Sequence, residues 1–156
     1  MAVEISSALL AEIADRCASV PKTEACGLLL GSFRTIAEVR HTRNVAPDPA
    51  RHFEVDPASL LAAHREARVG GPAVVGCYHS HPVGPAWPSE RDAAAAGGDA
   101  FLWLIVAQDG ARLFRAGTAG SIHGRFEVDA LTVTSLATAS SSGQKAPPQR
   151  SRGPRE

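Results

Sequence analysis

Cysteine is scarce in this chain, and its spacing follows no recognisable pattern. The 156 residues contain three cysteines, Cys17, Cys26 and Cys77, and no two of them form a C-x-x-C pair. An odd and sparse set excludes a disulfide framework, and the missing pairs exclude a zinc knuckle or a thioredoxin-type site. We interpret the three side chains as reduced, small apolar residues of a cytoplasmic protein.

The sequence also lacks an excess of charge and any long apolar run. Lys+Arg and Asp+Glu each number 16, so the net charge is zero, which argues against a nucleic-acid binder. The longest apolar stretch, around Phe101–Ala107, is too short to span a bilayer. The N-terminus shows neither the basic start nor the apolar core of a signal peptide. We therefore expect a cytoplasmic protein with no nucleic-acid and no membrane partner.

Length and composition favour one folded domain followed by a tail. The hydrophobic share is 44%, which is ordinary for a domain with a real core. From about Ala137 onwards Ser, Gly, Gln, Lys, Pro and Arg dominate, and this composition buries too little apolar surface to offset its ordering entropy. We predict a domain over residues 1–136 and a disordered C-terminal tail over 137–156.

Apolar periodicity and turn residues predict three helices among short strands. Asp56 and Ser89 are the predicted N-caps of the second and third helix, and Asp109-Gly110 predicts a hairpin. The helices are expected over 5–19, over 57–69 and from Ser89 past Asp92; the strands are expected at 25–31, 35–43, 52–55, 73–79, 101–107, 112–116, 122–128 and 131–134.

The strongest chemical signal is a pair of histidines at the end of a predicted strand. His79 and His81 are two residues apart, so in extended backbone they point to the same face with their Cα atoms about 6.5 Å apart. Asp92, in the first turn of the following helix, supplies a third donor. Two histidines and one carboxylate leave the fourth zinc position open for water, which is typical of a catalytic site.

Such a site also needs a proton acceptor that is not itself a ligand. Glu24 is the preferred candidate, because it precedes the apolar strand that we expect beside the His79 strand. Glu4, Glu12 and Glu54 are formal rivals in less suggestive settings.

Ser89 admits two interpretations that are compatible with each other. In the first, it is the N-cap of the third helix, with Asp92 at the N3 position. In the second, its hydroxyl donates a hydrogen bond to the oxyanion of a tetrahedral intermediate. The other histidines are assigned no role: His41, His52, His64 and His123.

These residues together resemble the signature of a known family. His79-Ser80-His81-Pro82, six further residues and Ser89-x-x-Asp92 match the complete motif of the JAMM (MPN+) zinc metallopeptidases, in their small bacterial type. The segment Glu24–Gly31 is similar to the glutamate segment of that family. Asn44–Pro47 and Phe53–Pro57 are also similar to small bacterial members, and the resemblance extends from about Ile5 to Phe114.

The resemblance implies an α+β fold, in which a twisted, mainly antiparallel β-sheet is flanked by helices around a cytidine-deaminase-like core. It implies one Zn²⁺ held by His79, His81 and Asp92, with Glu24 carrying the proton from water to the leaving amine and Ser89 steadying the oxyanion. Every motif position is intact in this chain, which argues against a metal-free scaffold.

The resemblance further implies isopeptidase chemistry on a protein substrate. The compact chain lacks room for the long insertions with which eukaryotic deubiquitinases grip ubiquitin. The implied substrate is a ubiquitin-like or sulfur-carrier protein with a Gly-Gly tail, from which cysteine or a conjugated protein is released. Two alternatives stay open, namely a non-catalytic MPN-type scaffold or binding domain and a zinc amidase acting on a small molecule. A homodimer also stays open.

Overall fold

A computed structural model describes residues 2–135, which form three helices and eight strands. The predicted tail, 137–156, lies outside the described residues, so the domain boundary stays a prediction. In chain order the elements are β1 Val3–Ser6, α1 Ser7–Ser19, β2 Cys26–Ser32, β3 Thr35–Thr42, α2 Pro57–Arg68, β4 Ala73–Ser80, α3 Glu90–Ala95, β5 Leu102–Ala107, β6 Gly110–Gly120, β7 Gly124–Asp129 and β8 Leu131–Thr134.

The eight strands form one mixed sheet in the order β7-β6-β5-β4-β2-β3-β1-β8. The pairs β1–β3, β1–β8 and β4–β5 are parallel, and the other four pairs are antiparallel. Helices and a mainly antiparallel sheet in one unit confirm the expected α+β class.

The sheet is strongly curled, as the chain order of its two edge strands shows. Only Ala130 separates β7 from β8, yet these strands occupy opposite ends of the strand order. One short stretch of chain therefore joins both edges, and this is only compatible with a sheet that bends round on itself.

Apolar side chains cover both faces of this sheet. Along β5, Leu102 and Leu104 belong to a buried cluster with residues of β1 and α1, whereas Trp103 and Ile105 belong to a second cluster with Ala93 of α3. This alternation follows the two-residue period of a strand. Both faces are therefore packed, and α1 and α3 lie on opposite sides of the sheet.

Each of the three helices begins at a capping side chain. Ser6 accepts a hydrogen bond from the Leu9 amide, Asp56 accepts one from Ala58, and Ser89 accepts one from Asp92. The two caps predicted from the sequence, Asp56 and Ser89, are confirmed. None of these helices, which lie within residues 2–135, has the length and apolar character needed to cross a membrane.

The structure corrects three predicted boundaries. The first helix begins at Ser7 rather than at residue 5, because Ile5 is buried in β1, where it pairs with β3 and β8. Residues 52–55 do not form a strand and contribute only an isolated bridge between Asn44 and Val55. The strand predicted over 112–116 extends over Gly110–Gly120.

The pairing of β2 with β4 places the two halves of the sequence motif side by side. Cys26 is directly opposite His79. The carbonyl of Ala25 accepts a hydrogen bond from the Ser80 amide at 3.0 Å, and the amide of Ala25 donates one to the Ser80 hydroxyl at 2.9 Å. Glu24 consequently lies beside the end of β4. The neighbourhood that was expected from the sequence is confirmed.

Candidate metal centre

Three donor side chains converge where β4 ends and α3 begins. The distance between His79 Nε2 and His81 Nε2 is 3.1 Å. Asp92 Oδ1 lies 3.2 Å from His79 Nε2, and Asp92 Oδ2 lies 3.3 Å from His81 Nε2. The structure thus brings together the three residues that were predicted as ligands.

The spacing of these atoms fits a tetrahedral ion. Ligand atoms at 2.0–2.1 Å from a zinc ion are about 3.3 Å apart when the geometry is tetrahedral. The two imidazole nitrogens are 3.1 Å apart, and each lies 3.2 or 3.3 Å from a different oxygen of Asp92, so all three separations are close to this value. The three side chains can therefore supply one triangular face of such a tetrahedron. A small cation on this face would keep a fourth position for a further ligand.

His81 is oriented by a backbone carbonyl. Its Nδ1 lies 2.9 Å from the Pro85 oxygen and donates a proton there, so loss of the proton on Nε2, which points to Asp92 in the metal-free protein, leaves Nε2 free to bind a metal. Metal-binding histidines are commonly oriented through their second nitrogen in this way. The loop after β4 therefore selects the tautomer that can bind a metal.

His79 is oriented by aromatic rings. Its side chain is fully buried, and its Nδ1 has no hydrogen-bond partner among residues 2–135. Phe53 stacks on the imidazole with 4.2 Å between ring centroids and 15° between planes, and Trp103 meets it edge-on at 5.7 Å. Aromatic packing thus fixes the orientation of the His79 ring, whereas a hydrogen bond to a backbone carbonyl fixes that of His81.

Asp92 is held by the start of its own helix. Its Oδ2 accepts a hydrogen bond from the Ser89 amide at 2.9 Å, and the Ser89 hydroxyl accepts one from the Asp92 amide at 3.0 Å. This reciprocal capping box fixes the carboxylate. Since a serine hydroxyl that accepts a bond still has its own hydrogen to donate, Ser89 remains able to act toward an oxyanion.

Glu24 provides a second carboxylate close to the cluster. Its side chain is buried, and its Oε2 has no hydrogen-bond partner in the part of the chain that the structure describes. Its backbone is fixed on both sides, because its amide donates to Pro49 at 2.7 Å and its carbonyl accepts from Asn44 Nδ2 at 2.9 Å. Burial, followed by the negative charge of Asp92, raises the pKa of Glu24 to about 7.

The protonation of the three donors follows from their contacts. Burial lowers the pKa of His79, which favours the neutral imidazole that a metal requires. Burial opposes the charged forms of Asp92 and His81, but their hydrogen bonds outweigh it. Contacts with His79 and then His81 hold the pKa of Asp92 well below its usual range, and the contact with Asp92 raises the pKa of His81.

A cleft of about 680 Å³ leads to this centre. Glu24, His81 and Ser89 line its wall together with residues of the loops before α2 and α3, among them Arg51 and Trp87. Trp87, whose ring meets Phe114 edge-on, is thus both a packing residue and part of the cleft. Glu24, His81 and Ser89 are therefore reachable from one side.

The rival candidates lie elsewhere. Glu4 and Glu54 are exposed, and Glu12 pairs with His41 at 2.9 Å. His41 also binds the Tyr78 hydroxyl, and His123 lies 3.0 Å from the Pro88 carbonyl. None of these side chains belongs to the donor cluster found among the described residues.

Two residues near the centre were missed by sequence reasoning. The sequence indicates no role in the site for Asn44 or Phe53, yet Asn44 binds the Glu24 carbonyl and Phe53 stacks on His79. Their only signal was the similarity of both segments to small bacterial family members. Composition and periodicity carry no information about such long-range contacts.

An open three-donor face beside a buried, unpartnered carboxylate defines a zinc-dependent hydrolase, and the site takes one Zn²⁺ ion. Residues 6–117 match the family described as prokaryotic homologs of the JAB domain. The chain belongs to this family, which confirms the JAMM resemblance seen in the sequence.

Two relatives are similar to this chain over much of their length. The desampylase of Haloferax volcanii is 30% identical over 112 residues, which cover 70% of this chain and 81% of that protein. The probable TtuB-protein conjugate cleaving protease of Thermus thermophilus is 37% identical over 95 residues, which cover 58% of this chain and 60% of that protein. The chain thus spans less than two thirds of the Thermus protein.

Solved structures support the fold. A Desulfitobacterium hafniense protein solved in solution has a TM-score of 0.72 and 23% identity, over 85% of this chain and 93% of that one. At this identity the likeness bears on the architecture alone.

Proposed function

We propose that this chain is a zinc-dependent isopeptidase that hydrolyses the amide bond after the C-terminal Gly-Gly of a ubiquitin-like or sulfur-carrier protein. The observation that carries the proposal is the buried Oε2 of Glu24, which has no partner beside three convergent metal donors. A buried polar atom without a partner is costly, and active sites are where such atoms are retained.

Each residue of the centre has one role in this proposal. His79, His81 and Asp92 would hold the zinc, which supplies Lewis acidity toward the scissile carbonyl and lowers the pKa of its water toward about 7. Glu24 accepts a proton at Oε2 and passes it to the nitrogen of the leaving amine. The Ser89 hydroxyl donates to the oxygen that becomes negative in the tetrahedral state.

The relatives support the choice of a protein conjugate as substrate. One is a desampylase, and the name of another describes a protease that cleaves protein conjugates. The lining of the cleft supports the choice of a Gly-Gly tail, because the bulky side chains of Pro82, Pro85, Trp87 and Pro88 form its wall beside His81. Glycines have no side chain, so they are the residues that can approach such a wall most closely.

The decisive experiment compares wild type with Glu24→Ala on a linear fusion in which a carrier's Gly-Gly is followed by cysteine, and on a carrier–lysine isopeptide. Zinc content is measured by elemental analysis on the same samples. We expect about one zinc in both proteins, as a single three-donor site predicts, with cleavage by wild type alone. Zinc-loaded wild type that cleaves neither adduct would refute the substrate assignment.

The alternatives predict different results in the same assay. A scaffold domain would bind partners without cleaving them, and a small-molecule amidase would hydrolyse small amides but neither carrier adduct. Cytoplasmic location and homodimerisation remain predictions. Light scattering of the purified chain tests the second of them.

A further inference from the structure

Asn44 is the most densely hydrogen-bonded side chain near the metal centre, although nothing in the proposed mechanism requires it. Its Nδ2 donates to the Glu24 carbonyl at 2.9 Å and to the His52 carbonyl at 2.8 Å, with the Pro49 carbonyl at 3.4 Å. Its Oδ1 accepts from the amides of Ala46 at 3.0 Å and Glu54 at 3.1 Å. These contacts join both ends of the loop 45–55.

This loop reaches the metal centre at two separate points. At one point the Pro49 carbonyl accepts the Glu24 amide at 2.7 Å, next to the carbonyl that Asn44 itself binds. At the other point the ring of Phe53 stacks on the buried imidazole of His79. The loop thus touches both the proton carrier and a metal donor.

Besides Asn44, the loop is held by a turn at the Asp48 carbonyl and by the packing of Phe53 and Val55 against core clusters. It contains no helix or strand, and its regular backbone pairing is limited to the bridge between Asn44 and Val55. Backbone N–H and C=O groups that do not pair with a neighbouring strand need other hydrogen-bond partners. The side-chain amide of Asn44 is that partner for several backbone groups of this loop. A side-chain amide offers two N–H donors and a carbonyl acceptor, which is the combination that these contacts use.

We propose that Asn44 is a positioning residue for the metal centre. By closing the loop 45–55, it fixes the backbone at Glu24 and holds the Phe53 ring against His79. One side chain thus determines the position of both the proton carrier and a metal-binding imidazole. For catalysis the inference rests on the proposed function; for metal binding it stands independently.

The test uses the full chain after chelation and reloading with Co²⁺, whose visible absorption reports donor geometry without any substrate. Asn44→Asp keeps the two acceptor contacts but turns a carboxylate oxygen toward the backbone carbonyls, and Asn44→Ala removes both kinds of contact. We expect the affinity for Co²⁺ to fall by about 10–100-fold in both variants, which is the usual loss when a residue that orients a metal ligand is replaced. The absorption spectrum should change as well. The kcat of fully loaded enzyme should also fall while KM changes little.

Asp48→Ala is the matched control, because it removes an exposed side chain of the same loop. Within residues 2–135 its one polar side-chain contact is a distant pairing with Arg51 at 4.0 Å. The variant should leave affinity, spectrum and kcat unchanged. An electrostatic effect alone would shift the pH profile of Asn44→Asp but not that of Asn44→Ala, so a loss shared by both indicates lost positioning.

Folded Asn44 variants with wild-type Co²⁺ affinity and spectrum would overturn the proposal. If neither variant folds, Phe53→Leu decides, since it removes the stacked ring and keeps an apolar side chain: weaker Co²⁺ binding supports the proposal and unchanged binding overturns it. Wild type that binds Co²⁺ but cleaves no adduct would refute the proposed function and leave this test intact.

Discussion

Two carboxylates approach the metal centre from different elements, Glu24 from the segment before β2 and Asp92 from the first turn of α3. They are almost equally buried, at 6% and 5% exposure. Yet the pKa of Glu24 is raised to about 7, whereas that of Asp92 lies far below its usual range. Equal burial therefore does not produce equal chemistry.

The difference comes from the partners that each segment supplies. Burial opposes ionisation in both cases, but Asp92 receives hydrogen bonds from two imidazoles and from the Ser89 amide at a helix N-terminus. Glu24 has no such donors at Oε2, and the charge of Asp92 adds to the effect of burial. One carboxylate is suited to bind a cation and the other to exchange a proton.

Removing the ligand carboxylate should have the largest effect. We expect Asp92→Ala to lose its zinc and all measurable hydrolysis, because two imidazoles alone leave the donor face incomplete. Elemental analysis and the conjugate assay measure this, with Asp99→Ala as a control at an exposed aspartate. A folded Asp92→Ala protein that retains about one zinc would contradict the ligand role.

Removing the proton carrier should leave the metal in place. Glu24→Gln keeps the shape of the side chain, so we expect zinc content to be unchanged and kcat to fall by about 10²–10⁴-fold, the usual contribution of a general base. Glu54→Gln, at an exposed glutamate, should behave as wild type. Near-normal turnover in zinc-loaded Glu24→Gln would assign the proton transfer to another group.

The raised pKa of Glu24 predicts a pH-dependent loss of stability in the metal-free protein. A carboxyl whose pKa rises from 4.5 unfolded to about 7 folded binds more protons in the folded state, so stability falls as pH rises from 4.5 through 7. Glu24→Gln removes this cost, and we expect it to be more stable than wild type by roughly 1–3 kcal/mol at pH 8.

Urea unfolding of chelator-treated samples at pH 8 and pH 5 tests this prediction. The gain should shrink toward pH 5, where the folded carboxyl is protonated already. The same gain at both pH values would point to packing rather than to ionisation.

Removing the cap should have the smallest effect on stability. Ser89→Ala breaks the reciprocal bond with the Asp92 amide, which we expect to cost about 1 kcal/mol and to lower the Tm of the metal-free protein by a few degrees. Ser59→Ala, within α2, is the control. An unchanged Tm would show that the cap contributes nothing without the metal.

Much of this arrangement was predictable from the sequence because its causes are local. His79 and His81 share a face through the strand period, and Ser89 caps the helix that carries Asp92. The buried strand after Glu24 followed from an apolar run bounded by glycine. The strand before α1 was missed, because Ile5 also fits the apolar period of the helix that follows.

The sequence by itself determined which donors and which carboxylate are available, and at what spacing along the chain. Only the tertiary structure decided that β2 pairs with β4, which brings Glu24 to the histidines, and that a loop closed by Asn44 places Phe53 on His79. The physical reason is that these contacts join residues distant in sequence, and their energy depends on burial and partners that exist only after the sheet has closed.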